Sequence, residues 1–367
     1  MWKIHQSYNW KDLEEKFTWV QDMQNVPQDP IHHAEGNVDV HTQMVLNELI
    51  KLSEFKELNE QDQHILIAAA LMHDIEKRST TVIEKNGSIS SAFHAKRGEN
   101  TVREILYKEV KTPFEIREQI VKLVRYHGQP LWILDKSNPE KAVVKLSFEV
   151  NTKLLAILAT ADVKGRIAED KEDLLTRIEL FEEYCSELNC WGNARKFETD
   201  LAKYHYFTNN SHISYVPFEN ESFEVILLSA LPGSGKDYHI KENYDEWQVI
   251  SLDNMRRKYK ASPVDKKMTG RIVQEAKEMA RKHMRAKQSF VWNATNLSSS
   301  LRKSLIDLFV DYGARVKIVY IEVPYQRLVE QNLNRENPIP HNVMDKMISK
   351  WEVPQMWESH IVDYNIA

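Results

Sequence analysis

Cysteine is nearly absent from this 367-residue chain: there are only two, Cys185 and Cys190. Two cysteines cannot staple a small secreted scaffold, and these lack the neighbours of a zinc site, so they are expected to be free thiols on a helix in a reducing compartment. Long hydrophobic runs are missing too, and nothing approaches a transmembrane helix in length. The opening MWKIHQSYNW lacks the basic-then-apolar layout of a secretory signal, so a cytoplasmic location without membrane association is expected. Strong charge of one sign is also absent. A net charge of -5, with 42% hydrophobic and 28% charged residues, describes an ordinary globular protein and argues against a general nucleic-acid binder. No internal repeat is visible, and the length exceeds what one core organises, so two domains are expected.

Charge is present where it is concentrated. From Arg256 to Lys287 twelve Lys and Arg stand against three acids, a local +9 that leaves the remainder at -14. One segment therefore carries a footprint for a phosphate backbone, or else a solvated helical face.

Residues 1 to about 200 read as helical, with apolar residues at three-to-four spacing: Val40, Met44, Leu46, Leu49 and Ile50 in one helix, Ile65 to Met72 in another. Thr112-Pro113-Phe114-Glu115 predicts a capping box with proline at the first helical position, opening a helix to about Arg125. Glu84 to Gly87 predicts a hairpin turn, and Glu169 to Glu187 an exposed acidic helix face. The stretch 205–221 has no helical period and is expected to be a linker between domains at 1–204 and 222–367. Beyond it β-rich runs alternate with helical patterns (Val225 to Ser229, Val249 to Leu252, Phe290 to Trp292, Val316 to Val323). The expected architecture is multidomain: an all-α helical bundle, then an α/β domain on a parallel sheet.

The first of those strands runs into Ala230-Leu-Pro-Gly233-Ser234-Gly235-Lys236-Asp237 and then a helix. Backbone N–H groups of such a loop converge at a helix N-terminus, where a triphosphate is held by donors and dipole, and Lys236 adds a charge at the β and γ phosphates. Asp237 replaces the usual Ser or Thr at magnesium, a role a carboxylate can also fill. Asp253 follows the second strand, in the crevice where α/β folds bind ligands. It can take a proton from an attacking hydroxyl or cap a helix, while Arg256 one turn on reaches an acceptor phosphate. Asn293-Ala-Thr-Asn296 and Arg302 follow the third strand, and Arg327 and Arg335 precede Asn337-Pro-Ile-Pro340, suggesting an arginine-bearing lid. Over residues 222 to 355 this set resembles the polynucleotide 5'-hydroxyl kinases. The resemblance implies ATP or another NTP with Mg²⁺ or Mn²⁺, Lys236 and Arg335 on its phosphates, Asp253 as general base and Arg256 on the acceptor's 3' phosphate. Arg302 could act on either side, and Asn293 stands where that family often has Asp.

In the helical half, His41, the adjacent His73-Asp74, and Asp162 each interrupt an apolar helix where an unpaired charge would be expensive. Such imidazole and carboxylate donors can enclose a divalent metal. Over about residues 25 to 170 they resemble the HD phosphohydrolase superfamily, matching its four metal ligands, with His94 and His127 matching the extra histidines of two-metal members. The resemblance implies two divalent transition metals, a phosphate-directed Lys77, and for His33 a substrate, outer-shell or structural role.

Together, in this order, the two sets resemble HD-Pnk enzymes, which heal broken RNA or DNA ends and leave sealing to a separate ligase. Two rivals stay open: a nucleoside kinase joined to a nucleotide phosphohydrolase, and a nucleotide-sensing regulator.

Overall fold

In a computed structural model of the chain, the described residues are 1–209, 211–219, 221–261 and 265–367, without the side chain of Lys266. Positions 210 and 220 of the expected linker, and 262–264 of the basic segment, lie outside them. The chain forms two compact units, Met1–Lys196 and Phe197–Ala367. Among the described residues no helix is long and apolar enough to cross a membrane.

The first unit is helical apart from a short hairpin, β1 (Val82–Ile83) and β2 (Ile89–Ser90), turned at Gly87 with φ +88°. Its central helices, Val38–Leu49, Glu60–Met72, Phe114–Tyr126 and Thr152–Lys164, enclose one apolar core. The first buries Val38, His41, Thr42, Val45 and Leu49, whereas Val40 and Ile50, expected on the core face, are exposed. The Phe114 helix has Pro113 outside its first turn, and Thr112 Oγ1 is buried without a hydrogen bond, so the expected capping box does not form. The acidic helix Lys171–Glu187 buries Leu174, Ile178, Phe181 and Cys185 and turns its acids outward. Cys185 and Cys190 are both free and buried.

In the second unit five parallel strands order as β4-β5-β3-β6-β7: β3 Phe223–Ala230, β4 Gln248–Ser251, β5 Phe290–Asn293, β6 Ala314–Glu322 and β7 Ile361–Ile366. Being parallel, they end at one edge, where Ala230, Ser251 and Asn293 release the motif loops. The edge strand β7 was not expected; its short IVDYNI run carries Asp and Asn and exposes three of its six residues. The start of the expected linker is helical: Asp200–Asn209 is one helix, with Tyr204 stacked on His360 at 4.4 Å and Lys203 Nζ donating to the His360 carbonyl at 3.0 Å.

Candidate active sites

Helix ends deliver the donors of the first unit. His41 projects from the Val38 helix, His73 and Asp74 follow the Glu60 helix, His94 opens the helix His94–Lys108, His127 ends the Phe114 helix, and Asp162 lies in the last turns of the Thr152 helix. Gly165 permits the last of these placements. A Cβ there would sit 2.8 Å from the Val45 backbone nitrogen and 2.9 Å from its Cα, so only glycine lets the two helices approach this closely.

The donors form two groups, His41/His73/Asp162 and Asp74/His94/His127, each with its ligand atoms within 4.8 Å of one another. Asp74 joins them: Oδ2 lies 3.3 Å from His73 Nε2, and Oδ1 3.3 Å from His94 Nε2. The Nδ1 atoms of His73, His94 and His127 lie 2.7, 2.8 and 2.8 Å from the carbonyls of Ala70, Ser91 and Val124. Each Nδ1 therefore carries the proton and each Nε2 presents a lone pair. The Nε2 atoms of His94 and His127 lie 3.4 Å apart, and His73 Nε2 lies 3.4 Å from His41 Nε2, itself 3.0 Å from Asp162 Oδ1. Asp74 Oδ1 is buried and accepts no hydrogen bond. Converging imidazole nitrogens and an Asp74 oxygen left without a hydrogen bond fit a pair of divalent cations.

Electrostatics agree with that fit at His127 and the carboxylates, whereas at His41 burial is outweighed by Asp162 and Glu35, which raise the imidazole. Burial, then neighbouring His73, push the His127 imidazole down to about 3, the neutral form a metal needs. Burial works against the charges of Asp74 and Asp162, but Lys77 beside the first and Arg166 beside the second hold both well below the carboxylate range. Lys77 Nζ is 2.8 Å from Asp74 Oδ2 and donates to Gln28 Oε1 at 2.6 Å, and Arg166 Nη2 is 2.5 Å from Asp162 Oδ2. A cavity of about 370 Å³ opens over this floor, lined by Lys77, His33 and Arg166 and walled by Leu131, Trp132 and Leu174. Sequence reasoning passed over Arg166, although its spacing from Asp162 was visible, and over Glu35. The latter's buried carboxylate lies 2.8 Å from both His33 Nδ1 and His41 Nδ1, which gives His33 an anchored place at the cavity wall.

In the second unit the loop after β3 turns at Gly233 (φ +88°) and Gly235 (φ +91°), conformations that suit glycine alone. Lys236 is buried and donates to the Leu231 carbonyl at 3.2 Å. Burial lowers its ammonium to about 8, against the opposing charges of Asp253 and Asp237, and Arg335 lowers it further. Asp253 is not a helix cap: Ser251 caps Leu252–Lys258 by accepting from Asn254 N, while Asp253 Oδ1 lies 2.5 Å from Arg256 Nη1. Asp237 Oδ1 accepts from Asn293 Nδ2 at 2.7 Å, so the two residues that depart from the expected pattern meet each other. The helix Tyr325–Leu333 packs on the loop, with Leu328 O and Asn332 N each 3.5 Å from the place a Gly233 Cβ would occupy, and Arg335 just beyond it is half-buried.

Arg302 is corrected by its surroundings. Its side chain is fully buried, with Nε and Nη2 on Glu358 at 2.6 and 2.9 Å and Nη1 on the carbonyls of Asn296 and Glu352. A guanidinium with every nitrogen committed internally ties the Asn296 loop to the C-terminal segment and does not reach an acceptor.

Residues 38–164 match the family described as HD domain, and residues 225–354 one described as AAA domain. The chain is 23% identical over 139 residues to L-seryl-tRNA(Sec) kinase of Methanococcus maripaludis, covering 35% of this chain and 53% of that protein. It thus spans about half the length of that curated relative. A solved candidate kinase from Chloroflexus aurantiacus j-10-fl aligns at 12% identity and a TM-score of 0.34, covering 40% of this chain and 88% of its own. The chain thus joins a helical domain that matches the HD family to a domain on a five-stranded parallel sheet, consistent with a P-loop kinase fold.

Proposed function

We propose that this enzyme heals broken RNA or DNA ends, phosphorylating a 5'-hydroxyl with ATP and clearing a 2',3'-cyclic, 2'- or 3'-phosphate from the opposite end. The observation that carries the reading is that each unit sets cations beside a cluster of carboxylates and donors: Lys77 and Arg166 beside Asp74 and Asp162, Lys236 and Arg256 beside Asp253.

In the HD unit His41, His73, Asp74, His94, His127 and Asp162 would hold two divalent cations. When bound, these supply an activated water and charge stabilisation for phosphoester hydrolysis. Lys77 and Arg166 keep the two carboxylates ionised and offer charge to the phosphate, and His33, anchored by Glu35, faces the same cavity. In the kinase unit the loop of Gly233, Ser234, Gly235 and Lys236 cradles the triphosphate, with Asp237 toward its Mg²⁺ or Mn²⁺ and Arg335 on its outer phosphates. Asp253 takes the proton of the 5'-hydroxyl, and Arg256 fixes the neighbouring 3' phosphate.

A polymeric acceptor is favoured by the helix Lys266–Arg285. It buries Ile272, Ala276, Ala280 and Met284, and exposes Arg271, Lys282 and Arg285. The similar protein from Methanococcus is by its name a kinase of L-seryl-tRNA(Sec). The testing experiment incubates the purified enzyme with ATP and a short RNA bearing 5'-hydroxyl and 2',3'-cyclic phosphate ends and follows each end separately. Gain of 5' phosphate and loss of the cyclic phosphate are expected, ready for a separate ligase. Equal kinase efficiency on a free nucleoside would replace the reading with a nucleoside kinase, and turnover at neither end would favour a sensor.

A further inference from the structure

Loops that hold a magnesium nucleotide place a neutral Ser or Thr hydroxyl after the lysine and a carboxylate in the Walker-B position nearby. This chain reverses both. The carboxylate Asp237 follows Lys236, and the neutral amide Asn293 ends β5, the strand beside β3. The two side chains are in direct contact, Asn293 Nδ2 donating to Asp237 Oδ1 at 2.7 Å. The negative charge is therefore moved across one hydrogen bond, not lost.

We propose that Asp237 and Asn293 are an exchanged pair, in which the Mg²⁺-binding carboxylate sits on the helix after the loop and the strand amide holds it in position. The inference rests on nucleotide binding by the loop and not on which acceptor the kinase uses. An aspartate at 293 facing Asp237 would set two carboxylates at hydrogen-bonding distance, and one would have to keep a proton or share a cation. The amide removes that conflict. It engages Oδ1 and leaves Oδ2 of the exposed Asp237 with no hydrogen-bond partner among the described residues.

The amide is also firmly placed, as a positioning residue must be. Asn293 is buried and pairs in register with Ser251 of β4. The loop after it is stitched to β3 by Ala230 N on the Thr295 carbonyl (2.9 Å), Ser229 Oγ on the Asn296 carbonyl (3.1 Å) and Asn296 Nδ2 on the Leu228 carbonyl (2.7 Å). An acidic residue in the first turn of Lys236–Asn243 also suits the helix dipole, but a dipole role needs no partner on β5 and is indifferent to magnesium.

The experiment measures ADP binding to the full chain by calorimetry, with Mg²⁺ and with EDTA, and takes the ratio of the two affinities. Asp237→Ser should lower that ratio about 10- to 100-fold, as loss of a metal-site carboxylate does, without weakening binding in EDTA. Adding Asn293→Asp to it should restore most of the ratio, a coupling that two independent residues would not give. Thermal melting without nucleotide checks each fold. Should Asp237→Ser not fold, Asp237→Asn keeps the shape, removes the charge and carries the same expectation. A wild-type ratio in the single variant, equal loss in both buffers, or a double variant no better than the single one overturns the exchange. Wild type that binds ADP in neither buffer removes the P-loop reading and the exchange with it.

Discussion

At the scale of single residues, burial decides roles that residue type leaves open. Lys236 is a buried ammonium whose protonation is lowered to about 8, so its charge is at risk just above neutral pH. Phosphate binding needs the protonated form, and kcat/KM reports the free enzyme. As pH rises through about 8 it should therefore fall by about tenfold per unit, with a flat region below. A pH profile for ATP at saturating acceptor checks this, and a flat profile to pH 9.5 would show that Lys236 keeps its proton. Arg302 teaches the converse. An arginine after a motif strand looks like a ligand group, but its four internal contacts make it a strut. Glu358→Gln leaves that guanidinium buried without its counter-charge, so about 3–5 kcal/mol of stability should be lost in denaturant titration. The residues that gather into the two clusters were legible because each motif has its own spacing. Arg302's burial, Glu35's place behind two histidines and the Asp237–Asn293 contact were not, because each depends on chain segments far apart in sequence.

At the scale of elements, the periodicity of the chain gave the helices and four of the five parallel strands, while faces and edges depended on packing. Val40 and Ile50 are apolar yet point outward, since His41 and Thr42 share the inner face of that helix with Val38, Val45 and Leu49. The hydrophobic pattern could not anticipate a core face spent partly on the buried polar side chains of His41 and Thr42. β7 escaped because an edge strand with polar positions lacks the apolar run of its neighbours. The contact between the Val38 and Thr152 helices was equally hidden, since it turns on one glycine. Gly165→Ala places a methyl carbon against the Val45 backbone, which cannot rotate away as a side chain would. The helices should separate slightly, with a stability loss of about 1–3 kcal/mol, and His41 should drift from Asp162, now 3.0 Å away. Bound metal per chain, measured by elemental analysis of the folded variant, should drop below wild type while the kinase is unchanged. Full metal content would show that the helices absorb the methyl group elsewhere.

At the scale of the whole molecule, the two clusters lie in two separate units, so the two proposed activities should separate. Asp253→Ala should abolish phosphorylation and leave phosphoesterase turnover intact; loss of both in a folded protein would contradict independent sites. On the proposed function a shared substrate unites them, and the basic helix is where that proposal is most exposed. Several of the twelve cations in the segment serve the fold: Lys287 donates to the Tyr312 carbonyl and lies over Phe223, and Arg281 pairs with Glu278. Arg271, Lys282 and Arg285 are exposed, and two or three phosphate contacts are enough to distinguish a polymer from a nucleoside. Each neutralised phosphate of a single strand releases condensed counterion, so the logarithm of acceptor affinity should fall with the logarithm of salt at a slope of about -0.7 per contact. For a decamer with a 5'-hydroxyl the kinase KM should therefore rise steeply between low and physiological salt, and Arg271→Ala or Arg285→Ala should flatten the slope by less than one unit each. Arg256→Ala should behave differently. It removes the anchor for one 3' phosphate, so kcat/KM should fall for the decamer and for a nucleoside 3'-monophosphate alike, with little effect on a bare nucleoside. Salt-independent KM for the decamer, together with wild-type efficiency on the nucleoside, would detach the basic helix from the reaction and leave a small-molecule kinase in its place.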